Sequence, residues 1–160
     1  MAERNLWAPW RLAYIKGEKE PGCIFCTRLA RSSDEQDLIL HRSHRAFIIL
    51  NAFPYTNGHL MIVPFDHTSE LEELPEETLA EMDQLLKRSI AALKEAFGAQ
   101  GFNVGWNIGR CAGAGVEEHI HEHVVPRWNG DTNFMPVLGG VTVVPDALAN
   151  TWRALKPFFS

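Results

Sequence analysis

Between Pro75 and Phe97 the apolar residues Leu79, Met82, Leu86, Ile90, Leu93 and Phe97 recur at intervals of three and four, the period of one buried face of an α-helix. Glu76 and Glu77 fall in its first turn, where the helix dipole favours negative charge, and Gly98 can end it. A stripe of this length has to be covered, and the rest of the sequence offers short strands to cover it. Residues 38–41 and 46–50 read as two strands separated by Arg42, Ser43, His44 and Arg45. Residues 59–63 form a third after the turn-rich stretch from Pro54 to Gly58. Residues 102–108 and 119–125 supply a fourth and a fifth, and a last helix spans about 146–155, stopped near Pro157. The predicted fold class is therefore α+β, an antiparallel sheet of about five strands with one long helix and a C-terminal helix.

With 160 residues, 46% of them apolar, the chain can bury one core, and its length fits a single domain: an N-terminal arm over about 1–22, a core over about 23–136 and an extension over about 137–160. The arm carries Trp7, Pro9, Trp10, Arg11 and Tyr14, too aromatic for an ordinary disordered tail, and is expected to pack on something. A net charge of −5 leaves no broad basic surface on which a DNA backbone could run, so anionic partners have to be handled locally. The first residues lack the apolar region of a signal peptide, and no apolar run is long enough for a membrane span, which predicts a cytoplasmic protein without membrane partners.

The chemistry concentrates in His119, His121 and His123, which alternate with Ile120 and Glu122. On a strand, residues two apart share a face at a spacing of roughly 7 Å, so three imidazoles would line one surface. A lone histidine such as His41 or His44 is most simply a surface side chain. Three in strict alternation are not explained that way. Just before them, 109–115 contains three glycines in seven residues, and such a loop can turn backbone N–H groups toward an anion without Cβ obstruction. Phosphate held there would lie beside imidazoles able to attack it or to donate to it. Glu122, between two of the histidines, should face away from them as a solvent-facing or interface side chain.

The run from His119 to Arg127 resembles the signature of the histidine-triad (HIT) family, His-x-His-x-His followed by two apolar residues. The run from Asn51 to Pro64, containing Asn-x-x-Pro-x-x-x-Gly-His, is similar to that family's second hallmark, and the opening Leu6-Trp7-Ala8-Pro9-Trp10-Arg11 is similar to its bacterial branch containing diadenosine tetraphosphate phosphorylases. The resemblance implies cleavage of dinucleoside polyphosphates or related nucleotides, with His121 as the nucleophile that forms a covalent nucleotidyl-imidazole. His119 and His123 flank it, and His59 matches a fourth active-site histidine. Asn51 and Asn107 match positions that bind nucleotide or organise the site, and Gly113, Ala114 and Gly115 would meet phosphate. Gly115 departs from many relatives, which carry a side-chain hydroxyl or amide there; recognition would then rest on backbone groups, and the choice between water and phosphate as acceptor stays open. The resemblance also implies a homodimer whose sheets join.

Cys23 and Cys26 have the spacing that lets two thiolates reach one zinc ion, with two further ligands needed. A redox Cys-x-x-Cys is the rival reading, although no thioredoxin-like pattern surrounds the pair. Zinc-containing members of the resembled family complete the set with the counterparts of His67 and His119, which implies a structural Zn2+ here; Cys111 has no evident partner. Two other functions fit the same residues: a zinc-dependent hydrolase with the histidine row as ligands, and a nucleotide-binding scaffold with weak turnover.

Overall fold

The structure, a computed structural model, describes residues 22–132, 138 and 146–160. The aromatic arm lies outside these residues. Five strands form one antiparallel sheet: β1 (Ile39–Arg42), β2 (Ala46–Leu50), β3 (Leu60–Pro64), β4 (Gly101–Trp106) and β5 (Glu122–Arg127), in the spatial order β1-β2-β3-β5-β4. The helices are α1 (Ile24–Leu29), α2 (Asp34–Asp37), the long α3 (Glu76–Phe97) and α4 (Leu148–Leu155), which runs into a 3-10 turn over Lys156–Phe159. The α+β expectation holds, with strand and helix ends within about two residues of those predicted for most elements. The short α1 and α2 were not anticipated.

β2 and β3 are apolar at nearly every position and buried along their whole length, because the sheet is covered on both faces. On one side α3 lays Met82, Leu85, Ala92 and Leu93 over Ile48, Leu50, Leu60, Ile62 and Val124. On the other, α1 brings Cys23 and Phe25 against Phe47, Ile49, Met61 and Val63. Burial on this scale stabilises by about 1.5–3 kcal/mol per large side chain. The C-terminal helix closes the β1 edge, where Trp152 Nε1 donates to the Ile39 carbonyl at 2.9 Å and Lys156 Nζ to that of Leu40 at 2.8 Å. β4, at the opposite edge, leaves Asn103 and Val104 exposed.

Two positions show how tightly the sheet is fitted to α3. Gly58 has φ +80°, and a Cβ there would lie 3.0 Å from Leu93 Cδ2 and 3.3 Å from the Phe97 ring. Only glycine satisfies both the left-handed backbone and the close approach. Gly58→Ala is expected to cost about 2 kcal/mol or more in a denaturant titration, because strain and overlap add; a loss below about 0.5 kcal/mol would show that the loop simply relaxes.

Glu122 corrects one expectation in part. It turns away from the histidines as predicted, but onto the same face as Val124 under α3, where it is 8% exposed rather than solvent-facing. Burial, with Asp83 of α3 adding repulsion, pushes its carboxyl up to about 7. In the unfolded chain it ionises near 4.5, so the native state binds more protons between these values and its stability falls as pH rises through that window. Ionising Glu122 inside the fold costs about 3 kcal/mol. Glu122→Gln is therefore expected to raise stability over the wild type by up to that amount at pH 8 and to change little at pH 4, read from paired thermal melts.

Candidate active site and metal cluster

The loop between β2 and β3 and the lead into β5 converge on one end of the sheet. Only His123 lies within β5; His121 immediately precedes the strand and His119 sits at a bend two residues further back. That segment is pinned where the Ile120 N–H donates to the Thr68 carbonyl at 2.8 Å, and alternation still governs the side chains. The three rings do not share one environment, however. His121 and His123 stand edge to face with centroids 4.8 Å apart and line a cleft of about 310 Å³, together with Phe25, Asn51, Tyr55 and Asn107. His119, fully buried, instead directs Nδ1 at the two cysteines.

Hydrogen bonds fix the protonation of each ring. The His121 Nδ1–H donates to the His119 carbonyl at 2.9 Å, which leaves Nε2 with a bare lone pair. His59 Nδ1 accepts the Tyr55 backbone N–H at 3.1 Å and faces the Asn51 amide at 3.4 Å. Its proton therefore sits on Nε2 and is donated to His123 Nδ1 at 2.9 Å. His123 must then carry its own proton on Nε2, which lies 3.3 Å from Asn107 Nδ2, so the Asn107 amide has to turn its oxygen to this position to accept it. Burial keeps all these rings neutral. His59 is lowered to about 3 by burial, with His123 and His121 adding. His123 is lowered to about 4 by burial and then His121, and His121 itself is held below its ordinary value by burial, against the pull of its bond to His119. The site thus pairs a bare imidazole nitrogen with an imidazole N–H donor at neutral pH.

The glycine loop is narrower as an anion site than its composition suggested. A 3-10 turn at Arg110–Ala112 uses the N–H groups of Ala112, Gly113 and Ala114, which donate to the Gly109 and Arg110 carbonyls at 3.0 to 3.3 Å. The amides of Gly115 and Val116 have no acceptor among the described residues. Gly113, Gly115 and Val116 line the cleft, whereas Ala114 does not. Asn51 also serves its turn, accepting the Phe53 N–H at 2.9 Å.

Several cleft residues went unnoticed in the sequence. Ile24, Phe25 and Arg28 of α1 form one wall, and Phe53 and Tyr55 stand at another. Phe25 packs against His121 at 5.0 Å between centroids; its place between two cysteines was the available signal, since a residue inside a Cys-x-x-Cys is carried wherever the pair goes.

Cys23, Cys26, His67 and His119 come together as the resemblance implied, their donor atoms all within 4.8 Å of one another. Cys23 Sγ and His119 Nδ1 are 3.3 Å apart, Cys26 Sγ lies 3.4 Å from His67 Nδ1, and the two imidazole Nδ1 atoms are 3.2 Å apart. A tetrahedron with metal–sulfur bonds of about 2.3 Å and metal–nitrogen bonds of about 2.0–2.1 Å has edges of roughly 3.3–3.8 Å, so the donor set fits one such ion. His119 Nε2–H donates to the Pro64 carbonyl at 2.9 Å, which leaves Nδ1 bare toward the cluster. Cys111 is exposed and apart from this group.

A five-stranded antiparallel sheet with one long helix, bearing three alternating histidines beside a glycine turn, defines a histidine-triad protein. The HIT domain family matches residues 32–130, and the chain belongs to that family. It is 38% identical to the AP-4-A phosphorylase of Mycobacterium tuberculosis (strain ATCC 25618 / H37Rv), over 95% of this chain and 82% of that protein. It is 30% identical to the adenosine 5'-monophosphoramidase hnt1 of Schizosaccharomyces pombe, over 67% of this chain and 75% of that one. A Zn-bound histidine triad family protein from Mycobacterium smegmatis superposes with a TM-score of 0.68 at 32% identity, covering 86% of this chain and 92% of that one.

Proposed function

We propose that this protein cleaves dinucleoside polyphosphates such as diadenosine tetraphosphate through a covalent nucleotidyl-histidine intermediate on His121, with phosphate or water as the acceptor. The observation that carries the reading is the His121 ring: neutral, with Nδ1–H held by the His119 carbonyl and Nε2 bare in the cleft. In the first step Nε2 forms a bond to the α-phosphorus and the phosphorus–oxygen bond to the remaining phosphate chain breaks. A polyphosphate leaves as a stable anion, so it needs a hydrogen bond more than a strong acid, and the His123 Nε2–H supplies one. In the second step the acceptor oxygen displaces the nucleotide from nitrogen and restores the bare ring. The amides of Gly115 and Val116, which have no acceptor among the described residues, would hold phosphoryl oxygens, Asn51 and Asn107 would position nucleotide and His123, and Arg28 would bring positive charge to the wall.

The likeness to the mycobacterial phosphorylase favours phosphate as the acceptor. Supplying diadenosine tetraphosphate with and without orthophosphate tests this: ADP that appears only with phosphate supports phosphorolysis, and equal turnover without it selects hydrolysis. A zinc hydrolase built on the histidine row is the weaker reading, because His121 and His123 are committed to a carbonyl and to His59 while His119 alone joins the metal-fitting group. Cys23, Cys26, His67 and His119 would hold a structural zinc, which supplies a rigid junction between α1 and the lead into β5. The exposed β4 edge supports a homodimer with joined sheets. Free thiols at Cys23, Cys26 and Cys111 suit the cytoplasm.

A further inference from the structure

The loop from Asn51 to His59 is tied down by its polar groups yet presents two large aromatic rings to the cleft. Asn51 accepts the Phe53 N–H, His59 accepts the Tyr55 N–H, Thr56 Oγ1 donates to the Pro126 carbonyl at 2.8 Å, and Thr151 Oγ1 of α4 donates to Asn57 at 3.0 Å. So anchored, Phe53 remains 51% exposed and Tyr55 53%. The Tyr55 ring lies near-parallel to His123 at 23° and 5.9 Å, and 4.4 Å from His59. Phe25 and His121 abut at the other side of the histidine pair. The cleft therefore has an aromatic wall beside the attacking ring and a second aromatic surface beside the ring that faces the departing chain. Both half-exposed rings line the cleft.

We infer that Tyr55 and Phe53 form a stacking platform for the second nucleobase of a dinucleoside polyphosphate, the one carried away on the leaving phosphate chain. This rests on the substrate class and on the role of His121 proposed above. Stacking on an aromatic face is tolerant of base identity, so the platform selects for the presence of a second nucleoside and not for its sequence. Removing a ring should cost about tenfold in selectivity, within the range found for single base–aromatic stacks.

The test compares diadenosine tetraphosphate with adenosine 5'-tetraphosphate, which has the same phosphate chain and no second nucleoside. The readout is the ratio of kcat/KM for the two, in which any loss through the contacts of Tyr55 with His59 and His123 cancels. Tyr55→Ala and Phe53→Ala are each expected to lower the ratio about tenfold, and Tyr55→Phe to keep it near the wild-type value. An unchanged ratio in both alanine variants, with the wild type active, overturns the platform alone, as does a fall in Tyr55→Phe equal to that in Tyr55→Ala. A wild type that turns over neither compound rejects the substrate class instead, and the platform with it.

Discussion

His121→Ala is expected to lower kcat/KM for diadenosine tetraphosphate by about 10⁴-fold or more while moving the melting temperature by only a few degrees. The magnitude follows from what remains: the amides of Gly115 and Val116 and the His123 N–H can still bind and stabilise charge, but no bare nitrogen is left to open the two-step route. Loss of a nucleophile from a covalent mechanism costs on this scale, and residual turnover reflects binding groups alone. His123→Asn should cost less, about 10²-fold, because a polyphosphate can leave without proton transfer. Steady-state rates on both variants, alongside their melts, separate the two roles. A His121→Ala enzyme within tenfold of the wild type would show that the ring is not the attacking group.

Cys26→Ser is expected to abolish stoichiometric metal and to lower the melting temperature by ten degrees or more. Cys23 and Cys26 open α1, His67 follows β3 and His119 leads into β5, so one ion would cross-link three segments distant in sequence. Structural zinc binds with apparent energies of about 10–16 kcal/mol in small domains, comparable with the whole stability of a typical domain of about 5–15 kcal/mol. The effect should reach catalysis indirectly, since the carbonyl that orients His121 belongs to His119. Metal analysis of the purified protein should find one zinc per chain in the wild type and less than a tenth of that in Cys26→Ser. A wild type that binds no metal and melts identically with and without chelator would leave the four residues as a packed cluster only.

Much of this architecture could be read from periodicity. The stripe from Leu79 to Phe97 fixed α3 almost to the residue, and the short runs at 46–50 and 59–63 marked the strands that the structure places at Ala46–Leu50 and Leu60–Pro64, although not their burial on both faces. What escaped was whatever depends on contacts between distant segments. α1 has only six residues, and its helix is held by packing of Phe25 against Phe47 and the histidines, which no local pattern records. For the same reason Arg28 and Tyr55 were not seen as cleft residues. The alternating histidines were legible as a set, but their division of labour was not: His119 differs from His121 because Pro64 offers it a carbonyl and two cysteines lie opposite. Glu122 was misjudged because alternation gives a face without saying what covers it, and α3 covers that one. Composition likewise overstated the glycine loop, where the turn already satisfies the amides of Gly113 and Ala114, two of the three that were expected to meet phosphate.

The most direct measurement is to quench the enzyme in turnover with diadenosine tetraphosphate labelled at its α-phosphates, then digest it and locate the label. A neutral imidazole attacking phosphorus leaves a phosphoramidate, stable in base and labile in acid, on the peptide containing His121, and none in His121→Ala. Label on another residue, or turnover with no protein-bound label at any quench time, would contradict the covalent route.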